Sequence, residues 1–276
     1  MQKSLLITGC SSGIGLDAAH GMRARGWRVF ASCRKPEDCA RLAEEGFDSP
    51  LLDQRDPEGI RSALTYILGQ TGGTLDAVFN NGAFACPGAA EDLPTDALRD
   101  VFETNVMGVH ELARQAIPIM RAQGHGRIVQ HSSVLGLVPM PWRAAYTASK
   151  YALEGLTDTL RIEMADTNIH VITLNTGPVT SKIRENSIPH FEKWIDWENS
   201  PRAEQYRSKL LTRLYTDRGP DKFELPPSAV TEKLIKALES PRPHPRYFIT
   251  TPTWIMSAAK RLLPTSMLDK LINKAR

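Results

Sequence analysis

Short apolar runs alternate with helix-length amphipathic stretches along most of the chain. Residues 4–9, 27–33, 49–53, 75–81, 126–133 and 170–177 are dense in aliphatic, β-branched and aromatic side chains, the pattern of strands buried on both faces. Between most of them, 15–25, 57–69, 95–123 and 144–167 carry helical periodicity. Strand–helix alternation of this kind predicts an α/β fold, a doubly wound parallel sheet with helices on both faces. Ligands of such sheets bind beyond the C-terminal strand ends, where the winding direction reverses. The polar clusters of interest here follow predicted strands or sit on the next helix.

With 276 residues, no internal repeat and no low-complexity linker, the chain reads as one domain over 1–276. Two segments differ in character. Residues 181–227 are polar yet carry Phe191, Trp194, Trp197, Tyr206 and Tyr215; they form either a surface excursion or a cover over a substrate pocket. Residues 252–276 mix Trp254, Ile255, Leu262, Leu268 and Ile272 with Lys and Arg, and Pro264 divides them into two short amphipathic helices. That tail packs on the domain, on a second subunit, or peripherally on a membrane.

Composition narrows the function. Lys plus Arg exceed Asp plus Glu by three (34 against 31), with no long block of like charge, so no nucleic-acid partner is expected. Four cysteines without a C-x-x-C pair, and seven histidines without ligand spacing, give no metal site. The thiols read as reduced and structural, as in a cytoplasmic protein. No stretch reaches the roughly 18–20 apolar residues that span a bilayer.

The turn "ITGCSSGIGL" admits two chemistries. Its Gly9-Cys10-Ser11-Ser12-Gly13 fits G-x-S-x-G, which would make Ser11 a hydrolase nucleophile. Such an elbow normally has strands upstream and an oxyanion loop; here only eight residues precede Gly9, and no HGGG-like stretch occurs. Read as a cradle, Gly9 permits a sharp strand exit, Ser11, Ser12, Gly13 and Ile14 bring backbone N–H groups to a phosphate, and Gly15 opens a helix whose dipole favours an anion. The spacing G-x-x-x-G-x-G differs from the usual dinucleotide fingerprint. Further along, Tyr146 and Lys150 lie four apart on one helix face. A nearby cation is expected to lower the phenol pKa toward the working range. Ser133, ending a strand, offers a hydroxyl to a carbonyl oxygen, with Ser132 on the opposite strand face. Asn105 is a poor helix former inside a helical stretch.

Taken in order, the turn 8–15, Asn80-Asn81-Gly82-Ala83, Asn105, Ser133, Tyr146, Lys150 and Gly177-Pro178-Val179 resemble the short-chain dehydrogenase/reductase family, from residue 1 to about 181 and more weakly beyond. The stretches "SSGIGL", "CRKPED" and "AAYTASKYALEG" are similar to its steroid and retinol dehydrogenase branch and to bacterial NADP-dependent aldehyde reductases. The resemblance implies a Rossmann fold, nicotinamide-dependent hydride transfer, and a homodimer or homotetramer. It makes Tyr146 the general acid or base, Lys150 its tuner and a ribose ligand, Ser133 the carbonyl orienter, and Asn105 the holder of a water leading to Lys150. Asp53 would bond the adenine amine, the alternative being a cap for the helix near Pro57. Asn81, Gly82, Gly177, Val179 and Ser181 would line the cofactor.

Two departures stand out. Gly82-Ala83 reverses the family's Ala-Gly, so a positive φ expected at the second position must move one residue earlier. Thr176 replaces a proline, and Ser181 a threonine. At the end of the second strand no carboxylate awaits the adenosine ribose; Arg34 and Lys35 follow instead, which favours NADP(H) over NAD. The expected function is NADP(H)-dependent interconversion of an apolar aldehyde or ketone with its alcohol. A non-catalytic NADPH-binding regulator is the alternative. His131 is expected to be a packed strand residue.

Overall fold

The computed structural model describes residues 2–216 and 219–274. Residue 1, residues 217 and 218 of the expected cover, and residues 275 and 276 of the expected tail lie outside it.

Six parallel strands form one sheet in the order β2-β1-β3-β4-β5-β6. They are β1 (Ser4–Ile7), β2 (Arg28–Ala31), β3 (Ala77–Asn80), β4 (Gly126–Ser133), β5 (Ile169–Thr176) and β6 (Arg246–Ile249). The pleat sends alternate residues to opposite faces. Leu5, Ile7, Ala77 and Phe79 join the core under α1 (Gly13–Ala24) and the later α10 (Ser228–Glu239). Leu6 and Val78 join the core under α3 (Pro57–Thr71) and α5 (Val109–Gln123). Between β1 and β2 on one side and β3 on the other, the winding reverses, and the Gly9 turn opens there.

Two strand expectations change. Residues 49–53 form no strand; only isolated bridges, Phe30 to Asp48 and Cys33 to Leu51, run along the outer edge of β2. Pro50 is the cause, since it has no N–H to add to a ladder, and the Ser49 hydroxyl instead reaches the Ala31 carbonyl at 2.7 Å. At the other edge β6, which the sequence pattern did not yield, pairs with β5 from Thr173↔Arg246 to Thr176↔Ile249. Its four residues follow Pro241, Pro243 and Pro245, which hide a strand from pattern reading.

The helical stretch 95–123 is one rod, α4 (Thr95–Phe102) and α5 joined by a π-helical turn over Glu103–Gly108. A π-turn inside an α-helix commonly marks a functional position, and Asn105 occupies this one. α2 (Pro36–Glu44) follows β2, and α6 (Ala144–Glu163) follows β4. The cover is a packed cap rather than a loose excursion. α7 (Ile183–Trp194), a π-turn (Tyr206–Leu211) and α9 (Thr212–Tyr215) share a core with Phe84, Ala97, Val101 and Ala145, and the short α8 (Ala203–Gln205) leads into the π-turn. Tyr206 is fully buried; its hydroxyl accepts from Ala89 N–H and donates to Asp92, both at 2.8 Å.

Pro264 separates α11 (Thr251–Leu262) from α12 (Thr265–Lys274), as expected. Ala259, Leu268 and Ile272 pack on Val138, while Trp254, Ile255, Leu262 and Met267 stay exposed. Among the described residues, no helix is long and apolar enough to cross a membrane.

Candidate active site

The Gly9 turn is shaped by close approach. Gly9 has φ +71° and Gly13 φ +56°, and a Cβ on Gly9 would stand 2.8 Å from the Gly82 Cα. A Cβ on Gly15 would meet the Gly9 carbonyl oxygen at 2.2 Å. α1 starts at Gly13, and Ser12, its N-cap residue, makes no side-chain cap hydrogen bond. The first-turn N–H groups therefore stay free of a side-chain cap, and Ser181 backbone lies opposite Gly13. This cradle suits a dinucleotide pyrophosphate. Ser11, by contrast, sits exposed on the turn, its carbonyl accepting from Arg41 at 2.7 Å. Among the described residues no histidine ring bonds to it, so the hydrolase reading has no base.

Gly82 corrects another expectation. Neither Gly82 nor Ala83 has positive φ. Glycine is needed at 82 for space, because a Cβ there would lie 2.2 Å from Gln54 Oε1. Beside it, the Thr8 hydroxyl accepts from the N–H groups of Asn81 and Gly82, at 3.0 and 2.9 Å.

Asn81 clamps the turn by donating from Nδ2 to the Thr8 and Gly9 carbonyls, at 2.9 and 3.2 Å. Two acceptors fix the amide orientation, so Oδ1 faces His131 Nδ1 at 2.9 Å as an acceptor. His131 thus carries its proton on Nδ1, and Nε2 lies 3.1 Å from the Thr176 hydroxyl, which also reaches the Ser132 carbonyl at 3.2 Å. Burial, with the Lys150 charge adding to it, lowers His131 to about 3. His131 was expected only to pack; it joins the cofactor turn to β5, and its carbonyl holds Lys150. Its imidazole stays neutral down to at least pH 5 in a side-chain NMR titration; a resonance titrating near 6.5 would contradict this bonding.

The candidate catalytic residues gather at the C-terminal end of β4 and the N-terminal part of α6. Lys150 Nζ donates to the His131 carbonyl at 2.6 Å and lies 5.4 Å from the Tyr146 ring centroid. Ser133 Oγ accepts from Leu135 N–H at 3.1 Å, lies 3.3 Å from the Thr176 carbonyl, and faces the Tyr146 phenol. Contrary to the sequence expectation, the phenol pKa is raised. Burial pushes it up to about 12, against a lowering contact from Ser133. Burial also lowers Lys150 to about 8, opposed by the charge of Glu154 one turn along α6. Asn105 spends its side chain elsewhere: Oδ1 accepts from Phe84 N–H at 3.1 Å, and Nδ2 donates to the Phe84 carbonyl and Ser149 Oγ at 2.9 and 3.1 Å. It ties the π-turn to the loop after β3 and to the helix bearing Lys150.

At the adenosine end, Arg34 and Lys35 are exposed just beyond β2; Lys35 lies 3.7 Å from Glu37, and Arg34 forms no ion pair among the described residues. Asp53 bonds Arg55 at 2.9 Å; burial works against its charge, but the Arg55 contacts prevail and hold its pKa below the usual carboxylate value. It is not the helix cap, because Asp56 accepts from Glu58 N–H in that role. Val179 bridges to Leu225, and Gly177 approaches Thr250 so closely that a Cβ would meet its hydroxyl at 2.2 Å. These contacts fix the loop that carries Ser181. The role of His131, which sequence reasoning missed, comes from burial and from partners on distant elements, which no local spacing reveals.

A phosphate cradle at the winding reversal, with a half-buried Tyr146 beside a buried Lys150 and a serine along the same sheet edge, defines a nicotinamide-dependent oxidoreductase. The chain belongs to the short-chain dehydrogenase family, whose model matches residues 3–191, on its steroid- and retinol-dehydrogenase-like branch. It is 37% identical over 272 residues to the uncharacterized oxidoreductase YbbO of Escherichia coli K12, covering 99% of this chain and 94% of that protein. It is 30% identical over 258 residues to human 17-beta-hydroxysteroid dehydrogenase type 1, covering 89% and 77%. A solved short-chain dehydrogenase from Streptomyces avermitilis superposes with a TM-score of 0.78 at 26% identity, covering 99% of this chain and 94% of that one.

Proposed function

We propose that the protein is an NADP(H)-dependent carbonyl reductase or alcohol dehydrogenase. The observation that carries this reading is Tyr146, desolvated and beside Ser133 and Lys150, at the sheet edge that also holds the glycine cradle. When bound, the reduced nicotinamide supplies a hydride to the carbonyl carbon. Ser133 donates a hydrogen bond to the carbonyl oxygen, and Tyr146 delivers the proton to it. Lys150, held by the His131 carbonyl, supplies positive charge beneath the phenol. A regulator without chemistry would leave these three side chains without a task.

The NADP preference rests on Arg34, an exposed cation at the end of β2 with no ion-pair partner among the described residues; its charge acts on Asp53, but Arg55 already bonds that carboxylate. A ribose 2′-phosphate supplies that partner. NADPH oxidation with a panel of aliphatic and aromatic aldehydes and ketones tests both parts. NADPH is expected to be used at least about tenfold better than NADH by kcat/KM, and Arg34→Ala to remove most of that ratio. Equal use of both cofactors overturns the preference, and no oxidation with any carbonyl overturns the activity.

A further inference from the structure

Near the start of α6 the described residues hold more guanidinium charge than carboxylates free to pair with it. Arg143 caps the N-terminal end of α6, three residues before Tyr146, and its backbone bridges to Gly88 in the loop after β3. The side chain is partly buried. Its one hydrogen bond is from Nη1 to the neighbouring Trp142 carbonyl at 3.1 Å, and among the described residues no carboxylate pairs with it. Arg184, in the first turn of α7, likewise makes no ion pair among them. Arg213, on α9, bonds Asp221 at 2.8 Å. Arg213 and Arg184 both act electrostatically on Arg143, and among the described residues Asp221 alone opposes them; with burial the largest cause, the Arg143 pKa falls to about 10. Glu224 also feels Arg184, but its carboxylate already accepts from the Thr180 hydroxyl and the Asp221 N–H, the latter at 2.7 Å.

Three guanidinium groups therefore come from the catalytic helix and two elements of the cap, with Asp221 and Glu224 already engaged. A guanidinium withdrawn from water without an acid destabilises a fold where an apolar side chain would not. Its planar fork matches a carboxylate or phosphate in two parallel hydrogen bonds. The cofactor does not supply that anion. Its pyrophosphate suits the turn at Gly9 to Gly15, and its third phosphate suits Arg34, beyond the opposite edge of the sheet. We propose that the substrate is a carbonyl or alcohol compound bearing an anionic group, carboxylate or phosphate, which Arg143 binds with Arg184 and Arg213 beside it while the reacting oxygen meets Tyr146. This rests on the oxidoreductase reading above and replaces the wholly apolar substrate expected from sequence with an amphipathic one.

Two measurements separate the claims. With NADPH, wild-type protein reduces ω-oxo acids of about four to ten carbons at least about tenfold better, by kcat/KM, than their methyl esters, mostly through KM. Arg143→Met brings that ratio below about threefold, and Arg184→Gln lowers it part way. Independently of turnover, calorimetry on the NADPH-loaded protein compares octanoate, octyl phosphate and octanol. The anions bind at least about tenfold tighter than the alcohol, and Arg143→Met removes the difference. The tighter of the two identifies carboxylate or phosphate. Acid and ester reduced equally by wild type would overturn the anion site and leave the reductase reading intact. Charge-dependent binding that Arg143→Met abolishes, without turnover of any carbonyl, would sink the reductase reading and keep the site. Should Arg143→Met fail to fold, Arg184→Gln carries the same comparison, and an unchanged ratio in it refutes the cluster.

Discussion

Tyr146→Phe lowers kcat for carbonyl reduction by about 10²–10⁴-fold, the usual contribution of a positioned proton donor, while the NADPH dissociation constant changes by less than about threefold. The ring remains and only the hydroxyl leaves, so packing against Lys150 is kept while the proton source is lost. With burial holding the phenol at about 12, it is protonated across the physiological range, the form that reduction consumes. The cation beneath it titrates first. Lys150 is depressed from 10.5 to about 8, so it is charged below that pH and neutral above it. Reduction should therefore decline as pH rises through about 8, with the phenol still protonated. Steady-state rates from pH 6 to 10 and fluorescence titration with NADPH check both parts. A Tyr146→Phe variant with near wild-type kcat, or one that no longer binds NADPH, contradicts the assignment.

The parts of this site legible in the sequence were those fixed by short spacing. Tyr146 and Lys150 share a helix face because four residues make about one turn, and Gly9, Gly13 and Gly15 announce a turn because no Cβ fits there. What burial decides was not legible. The sequence placed a cation near a phenol and so expected a lowered pKa, but desolvation raises it, the opposing contact comes from Ser133, and Lys150 Nζ is spent on the His131 carbonyl. His131 looked like packing because its partners, Asn81 and Thr176, lie 50 and 45 residues away. In the fold, Pro50 broke a strand whose apolar pattern was sound, and the prolines before Arg246 concealed one that forms. Gly82 was read for its φ, when what it supplies is room beside Gln54.

The strand that the sequence hid also carries the largest expected loss of stability. Arg246 opens β6 and donates to Glu154 on α6 and to Asp158 at 3.1 Å. Glu154 accepts from Asn175 Nδ2 at 2.5 Å, and that amide also lies 3.3 Å from the Ser133 carbonyl. The side chains of Arg246 and Glu154 are 19% and 10% exposed, so solvent screens the pair weakly. Arg246→Met leaves the Glu154 charge buried without its counter-ion, a change that costs about 3–5 kcal/mol. For a chain of this size that corresponds to a fall in Tm of roughly 5–9 °C. Because the defect is an unpaired charge rather than lost packing, Glu154→Gln added to Arg246→Met should recover at least about half of the loss. Purely additive losses in the double variant would show that the network holds β6 by shape and not by charge.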